Sequence, residues 1–226
     1  MRPALTTLLP VLLFVACSPT RNEDAREPFG PEPVSSSTTL CGAGWSTRNL
    51  DLATYRNGDP IPQVTDPAAW VKLTTGAWCW YNNDSATYHG YGRLYNWYAV
   101  NDPRGLAPQG WHVLTDVEWE AMETCLGEDS VGYRLRAEGQ WRCAATMIDN
   151  SSGFHGLPSG KRSAEGMFTH ADSSAVYWTA DEGSVSDAWC GRLIHNESVR
   201  SVPTMITGVG YMNKAEGYSV RCVKDR

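Results

Sequence analysis

The stretch YNWYAVNDPRGLAPQGWHVLTDVEW, residues 95–119, brings three tryptophans, two tyrosines and two prolines together in a chain of 226 residues. The rings form either an exposed platform for a ligand or the core of a compact domain. The chain after residue 40 contains all ten tryptophans and all ten tyrosines, but only fourteen leucines and isoleucines. Because each aromatic side chain can bury about 150–250 Å², a core of this size needs most of these rings. We therefore expect the stretch to be mainly core.

Two helices are predicted around this stretch. In RLYNWYAVND, residues 93–102, apolar side chains recur at helical spacing, and Pro103 prevents continuation. The second helix begins at Thr115, where TDVE has the pattern of a capping box that includes Glu118. It is expected to end at Gly127, because glycine readily adopts the conformation that closes a helix. Both helices should direct their rings inward.

The last third of the chain predicts antiparallel strands. The segments AVYWTA and DAWCGRLIH are separated by the turn-rich DEGSVS, and the chain closes with GYSVRCVKD. In this closing segment Tyr218, Val220 and Cys222 occupy alternate positions, which is typical of a strand with one buried face. Cys222 is therefore expected to be a half-buried cysteine suited to a disulfide.

Residues 1–16 have the pattern of a bacterial lipoprotein signal peptide. Arg2 precedes an apolar stretch too short to span a bilayer, and Ala16 stands directly before Cys17. In such signals the peptide is cut before the cysteine, which then carries the lipid. An ordinary secretory peptide is the alternative, and both interpretations export the protein. Ser18 after the cysteine, rather than Asp, favours the outer membrane of a Gram-negative cell.

Residues 17–40 predict a flexible tether, and residues 41–226 predict one domain. The tether is rich in Pro, Ser, Thr and charged residues, so it cannot bury enough apolar surface to order itself. Its reach is on the order of 30 Å. Removal of residues 1–16 leaves 19 − 1 = 18 basic against 25 acidic residues, a formal charge of −7. This negative charge gives no attraction to nucleic acid or to anionic lipid. Membrane contact is therefore expected through the lipid anchor only.

Several segments of the domain resemble those of the Fibrobacter succinogenes major paralogous domain, a family of secreted and lipid-anchored bacterial proteins. The resemblance lies in residues 54–84, 91–119, 152–163, 177–180 and 217–225. It implies a fold of the C-type lectin-like and formylglycine-generating-enzyme-like group. The implied class is α+β, with two helices packed on small twisted antiparallel sheets and the last strand beside the first. The resemblance implies no activity.

Six cysteines remain after Cys17, and an exported protein is expected to join them in disulfides. Six cysteines allow fifteen pairings, and the sequence does not choose among them. Because Cys79 and Cys222 both fall in segments that resemble the family, this pair is the first hypothesis. The remaining pairs are then Cys125–Cys143, which flank one helix-and-turn segment, and Cys41–Cys190.

The sequence favours no cofactor, no metal site and no catalytic centre. It lacks the Glu-Pro-Asn or Gln-Pro-Asp and Trp-Asn-Asp motifs with which lectins of this fold hold calcium and sugar, and GFHGLPSGKRS does not match a phosphate-binding loop. The five histidines show no metal-binding spacing. A hydrolytic pair of carboxylates stays open among Asp84, Asp116, Asp172, Asp181 and Asp187, because the sequence does not give distances in space.

The candidate ligand face lies on the predicted strands and loops between Tyr177 and Tyr211. Its candidate residues combine aromatic and polar side chains: Trp189, Arg192, His195, Glu197, Arg200 and Tyr211. We expect an exported, non-catalytic recognition module for a surface glycan or a protein. The alternatives are a structural protein that decorates the cell envelope and, third, an enzyme of hydrolytic type.

Overall fold

The structure, a computed structural model, describes residues 36–127, 130–142, 148–196 and 204–226. The strands in these residues are β1 (Ser37–Leu40), β2 (Ala43–Ser46), β3 (Trp78–Cys79), β4 (Leu94–Tyr95), β5 (Trp111–Val113), β6 (Ser159–Arg162), β7 (Phe168–Ala171), β8 (Ser174–Glu182), β9 (Asp187–Asn196), β10 (Thr204–Asn213), β11 (Ser219–Val220) and β12 (Cys222–Lys224). The helices are α1 (Pro67–Trp70), α2 (Ser85–Tyr88), α3 (Trp97–Val100), α4 (Asp116–Leu126) and α5 (Val131–Leu135).

The strands form three sheets. A four-stranded sheet has the order β1-β2-β12-β5, the pair β3-β4 stands alone, and the largest sheet has the order β10-β9-β8-β6-β7 with β11 beside β8. The pairings between these strands are antiparallel except β6 with β8 and β11 with β8, which are parallel. The last strand returns to the N-terminal hairpin, where its neighbour is β2 rather than β1.

Helix α4 confirms the prediction made from its capping box. The Thr115 hydroxyl accepts from the Glu118 N–H at 3.2 Å, and a Glu118 carboxylate oxygen accepts from the Thr115 N–H at 2.9 Å. The helix ends before Gly127, which has a φ of 86°. Trp119 of α4 lies directly over Gly191 of β9, where a Cβ atom would come within 2.4 Å of the indole. Glycine at this position therefore allows α4 to approach the large sheet closely.

The helix predicted over residues 93–102 is wrong. Leu94–Tyr95 is strand β4, and α3 begins only after Asn96. The Asn96 side-chain oxygen accepts from the N–H groups of Ala77 at 2.9 Å and Ala99 at 3.2 Å. Asparagine is a preferred helix N-cap, so it starts a helix in the middle of a segment whose apolar pattern suggested one continuous helix.

Only α4 is a long helix in the part of the chain that the structure describes. It has eleven residues, whereas each of the other four described α-helices has four or five. The domain is therefore a mixture of α and β that consists mostly of strands, with one principal helix instead of the predicted two.

The rings form the core, as the composition predicted. Eight of the ten tryptophans are at most 8 % exposed: Trp45, Trp70, Trp78, Trp80, Trp97, Trp119, Trp141 and Trp178. Within the stretch 95–119, Tyr95 is also buried, while Tyr98 and Trp111 are half-buried. The hypothesis that this stretch is an exposed platform is wrong, because its rings mainly fill the interior.

The closing segment is more deeply buried than its alternating pattern predicted. Every residue from 217 to 223 is buried. Strand β11 packs beside β8 and β12 lies between β2 and β5, so both faces of the segment contact protein. Arg221 remains buried because its guanidinium group donates hydrogen bonds to internal acceptors, among them the Asn49 side chain at 2.7 Å.

The structure contains a disulfide between Cys41 and Cys125, with an S–S distance of 2.12 Å. It joins the tight turn between β1 and β2 to the last turn of α4. The predicted pairs Cys125–Cys143 and Cys41–Cys190 are therefore wrong, because Cys41 and Cys125 bond to each other. Cys143 itself lies outside the described residues.

The predicted pair Cys79–Cys222 is also wrong. Cys79, Cys190 and Cys222 are buried free thiols, and Cys79 lies in a different cluster of the core from the other two. The presence of Cys79 and Cys222 in segments that resemble the family therefore indicated that both residues are buried. It did not indicate a disulfide between them. Burial raises the pKa of each of these thiols to about 12, which keeps them protonated and poorly nucleophilic.

Strand β1 includes the last residues of the predicted tether. Ser37–Leu40 pairs with Ala43–Ser46 across a two-residue turn, so the folded domain begins before Cys41. The predicted signal peptide and Cys17 lie outside the described residues. None of the described helices has the length and apolar character needed to cross a membrane.

Candidate functional site

Two candidate residues, Trp189 and Tyr211, form a ring pair that we call the ring platform. They stand directly opposite each other on β9 and β10, with ring centroids 3.8 Å apart and planes inclined by 36°. The Tyr211 side chain is 55 % exposed, which makes it the only aromatic residue among the exposed large apolar side chains of the described chain. Trp189 is half-buried beneath it. A large aromatic surface is thus held at the protein–solvent boundary.

Gly183 supports the platform from the turn between β8 and β9. A Cβ atom at Gly183 would come within 2.4 Å of the Tyr211 ring, so only glycine leaves room for the ring in this position. The turn is tied to Asp187, whose carboxylate accepts from the hydroxyls of Ser184 at 3.0 Å and Ser186 at 2.6 Å. The platform therefore rests on a short turn with little freedom to move.

Lys214, the residue after β10, fastens the same turn. Its ammonium group donates to the carbonyl oxygens of Ser184 at 2.6 Å and Val185 at 2.9 Å, and it forms an ion pair with Glu182. Lys214 is only 3 % exposed, and its ammonium group lies 4.8 Å from the centroid of the Trp97 ring. A buried cation with three acceptors and an aromatic face fixes the turn against the end of β10.

The stretch 95–119 positions the platform from below. The Trp97 indole N–H donates to the carbonyl oxygen of Thr179 at 3.0 Å, and the Thr179 hydroxyl donates to the carbonyl oxygen of Trp189 at 3.1 Å. Trp97 of the core is thus linked through Thr179 to β9, the strand that carries Trp189.

A pair of carboxyl groups lies on the same side of the sheet as the platform, at the N-terminus of α4. Asp181 of β8 accepts from the N–H of Asp116 at 2.7 Å. Burial raises the pKa of Asp181; the Asp116 N–H acts against this shift, while the Asp116 carboxyl adds to it. Asp181 therefore retains its proton at a higher pH than an isolated aspartate does.

Apolar surface is also exposed around this end of the sheet. Val117, on the first turn of α4, is 68 % exposed, and Val185, in the turn between β8 and β9, is 96 % exposed. Together with Tyr211 they account for three of the five exposed large apolar side chains in the described chain. Val185 therefore adds exposed apolar surface to the turn that supports the platform.

The other four candidate residues do not join Trp189 and Tyr211. Arg192 is on the opposite face of β9, because successive side chains of a strand alternate, and its guanidinium donates to the carbonyl oxygen of Val209 at 3.2 Å. His195 shares the face of Trp189 but is buried and about 20 Å further along the strand. Glu197 and Arg200 lie outside the described residues. The predicted face is thus reduced to two rings.

Sequence reasoning missed Gly183 and Lys214 as parts of this site. A glycine in a turn and a single lysine after a strand are common, and neither carries a pattern that marks it. Asp181 was among the five candidate acids, and the structure now brings it to Asp116. No group of three His, Cys, Asp or Glu side chains in the described ranges is placed to hold a metal ion.

Comparison with known proteins gives a family and no activity. Residues 40–224 match the Fibrobacter succinogenes major domain. No curated protein and no solved structure matches the chain. The matched region begins at the end of β1 and ends in β12, so it contains the core, the disulfide and the ring platform. Because this match covers most of its length, the chain belongs to the Fibrobacter succinogenes major domain family.

Proposed function

We propose that the protein is an exported recognition module that binds a surface glycan through the ring platform of Trp189 and Tyr211. In this proposal the chain is held on the outer membrane by a lipid on Cys17, and residues 18–36 keep the domain clear of the membrane surface. The module needs no cofactor and catalyses no reaction.

The observation that carries the proposal is the exposed, supported ring of Tyr211. Tyrosine and tryptophan offer large and rigid contact areas at a low cost in conformational entropy. Here Gly183 and the turn fastened by Lys214 hold the rings in place before a ligand arrives. A sugar ring has an apolar face that can lie on such a surface, and its hydroxyls can bond to serine and carboxyl groups like those of Ser184, Ser186 and Asp187.

Glycan hydrolysis is less well supported than binding. Glycosidases hold their two carboxyl groups about 5–5.5 Å apart when they retain configuration and about 6.5–9.5 Å apart when they invert it. The Asp181 carboxylate accepts from the backbone N–H of Asp116 at 2.7 Å, so it is already engaged at the first turn of α4. We also propose the C-type lectin-like fold, which is supported by the return of β12 to the N-terminal hairpin.

A glycan array probed with the purified full chain tests this function. We expect binding of at least one glycan, and we expect Tyr211→Ala and Trp189→Ala each to weaken it at least tenfold, as truncation of an aromatic hot spot does. Met167→Ala is the matched control, because Met167 is 62 % exposed but adjoins β7 at the opposite edge of the sheet. This variant should bind like the parent chain.

Two results contradict the proposal. One is the absence of any glycan ligand tighter than about millimolar, combined with fibrous assembly in electron microscopy, which would support a structural protein of the envelope. The other is a glycan ligand whose affinity is the same for the parent chain, Tyr211→Ala and Met167→Ala.

A further inference from the structure

A second concave site lies at the other sheet. A cavity of about 310 Å³ is bounded by the β1–β2 hairpin, β5, α4 and β12. Its apolar lining includes four side chains that are 1 to 5 % exposed: Leu40, Trp45, Met122 and Val223. It shares no lining residue with the ring platform. The volume is at the lower end of the range for small-molecule sites, about 300–1,000 Å³.

One wall of the cavity is an imidazole between two carboxylates. The two ring nitrogens of His112 lie 2.8 Å from Asp225 and 2.9 Å from Glu118. Glu118 also accepts from the N–H and the hydroxyl of Thr115. Both acidic side chains of the cavity are thus already engaged by donors of this protein, which leaves them little capacity to bind a cationic ligand.

The charge that is not engaged is positive. Lys224 and Arg226 also line the cavity, and neither forms an ion pair within the part of the chain that the structure describes. Without His112, they equal the two acidic side chains of the cavity in number, whereas the whole chain has 25 acidic residues against 19 lysines and arginines. In addition, the buried indole N–H of Trp45 has no hydrogen-bond acceptor among the residues that the structure describes, although buried donors of this kind usually have one.

We propose that this cavity binds a small organic anion with an apolar body and one carboxylate group. The body occupies the floor formed by Trp45 and Met122, and the carboxylate is held by Lys224 at the mouth. The arrangement combines an apolar cavity with a few polar groups that fix orientation, as small-molecule sites generally do. The proposal does not depend on glycan binding at the ring platform.

Phenylacetate and its neutral amide, phenylacetamide, test the proposal on the purified full chain by isothermal titration and ligand-detected NMR. We expect the anion to bind at least tenfold more tightly than the amide. Lys224→Glu should remove this preference while leaving amide binding unchanged. Ala121→Trp should block both ligands, because Ala121 is an exposed residue of α4 that lines the cavity, so a larger side chain there occupies the mouth without entering the core.

Lys72→Glu is the matched control, since Lys72 is exposed and outside the cavity. It makes the same change in net charge as Lys224→Glu and should leave both affinities unchanged. The proposal is overturned if phenylacetate does not bind at about 10 mM, if anion and amide bind equally, or if Lys72→Glu weakens anion binding as much as Lys224→Glu. Tyr211→Ala should bind phenylacetate like the parent chain, which separates this site from the proposed glycan site.

Discussion

Arg221 and Arg136 are both completely buried, and each guanidinium group lies on an aromatic ring, 4.3 Å from the centroid of Phe154 and 3.9 Å from that of Trp141. Their hydrogen bonds differ. Arg221 donates at 2.6 to 2.9 Å to four acceptors: Asn49 Oδ1 and the carbonyl oxygens of Ser46, Phe154 and His155. In the described part of the chain, none of the three guanidinium nitrogens of Arg136 has a hydrogen-bond acceptor.

The comparison separates the cost of burial from the gain of hydrogen bonding. Burial lowers the pKa of both groups, to about 10 for Arg221 and about 9 for Arg136, so both are cations near neutral pH and both have lost their hydration. Only at Arg221 do internal acceptors replace the water. Arg221 thereby joins the β2 region, the segment around residue 154 and the closing segment, whereas Arg136 is compensated mainly by its ring contact.

Replacement of Arg221 by methionine should have the largest effect. It removes the donor of four neutral oxygen acceptors, and each buried acceptor left unsatisfied typically costs about 1–3 kcal/mol. We therefore expect the free energy of unfolding to fall by about 3 kcal/mol or more. Urea denaturation followed by tryptophan fluorescence measures the change in the free energy of unfolding. A loss below about 1 kcal/mol would show that the four bonds contribute little, and the contrast with Arg136 would disappear.

Arg136→Met should be close to neutral or stabilising. Replacement of a poorly compensated buried charge by an apolar side chain of similar length is often neutral or favourable, and the lost contact with Trp141 offsets about 0.5–2 kcal/mol of that gain. We expect the free energy of unfolding to fall by less than about 1 kcal/mol, or to rise. The same denaturation experiment checks this, and a loss as large as that of Arg221→Met would mean that Arg136 has an acceptor of comparable strength.

The two arginines also show what the sequence could predict. Local patterns gave the elements that depend on neighbouring residues, such as α4 with its capping box at Thr115. The preponderance of rings over aliphatic side chains gave the aromatic core. Nothing near Arg221 or Arg136 distinguishes them, because the acceptors of Arg221 are 66 to 175 residues away along the chain.

The candidate sites follow the same rule. Trp189, Tyr211 and Arg192 were predicted together because they lie on strands joined by polar loops, in the region that carries the recognition face of C-type lectin-like folds. The structure pairs Trp189 with Tyr211 and places Arg192 on the opposite face of β9, because successive side chains of a strand alternate. The Cys41–Cys125 disulfide and the cavity near His112 combine segments that are distant in sequence. The sequence of these segments did not predict the disulfide or the cavity, because only the fold brings the segments together.

The smallest expected effects concern two histidines whose environments repeat the contrast between compensated and uncompensated charge. Burial works against the charged form of His112, but the carboxylates of Asp225 and Glu118 outweigh it and raise its pKa. His155 has the opposite environment: burial, then the positive charges of Arg221 and Arg48, lower its pKa. The folded protein therefore favours protonated His112 and disfavours protonated His155.

The signs of the two pH effects follow by linkage. His112 stabilises the fold below its unfolded pKa of about 6.5, and this stabilisation is lost as the pH rises through the higher folded value. His155 destabilises the fold at acid pH and has no such effect above about 6.5. Compared with the parent chain, His112→Gln should thus be less stable at pH 5.5 and equal at pH 8.5, while His155→Gln should be more stable at pH 5.5. Each difference should stay below about 1 kcal/mol, because both side chains are partly exposed. Denaturant titrations of the three proteins at the two pH values measure this difference in the free energy of unfolding.

Because Arg221 is one cause of the lowered pKa of His155, the stability gained at pH 5.5 from His155→Gln should shrink in an Arg221→Met background. An unchanged gain would show that the charge of Arg221 does not act on this imidazole.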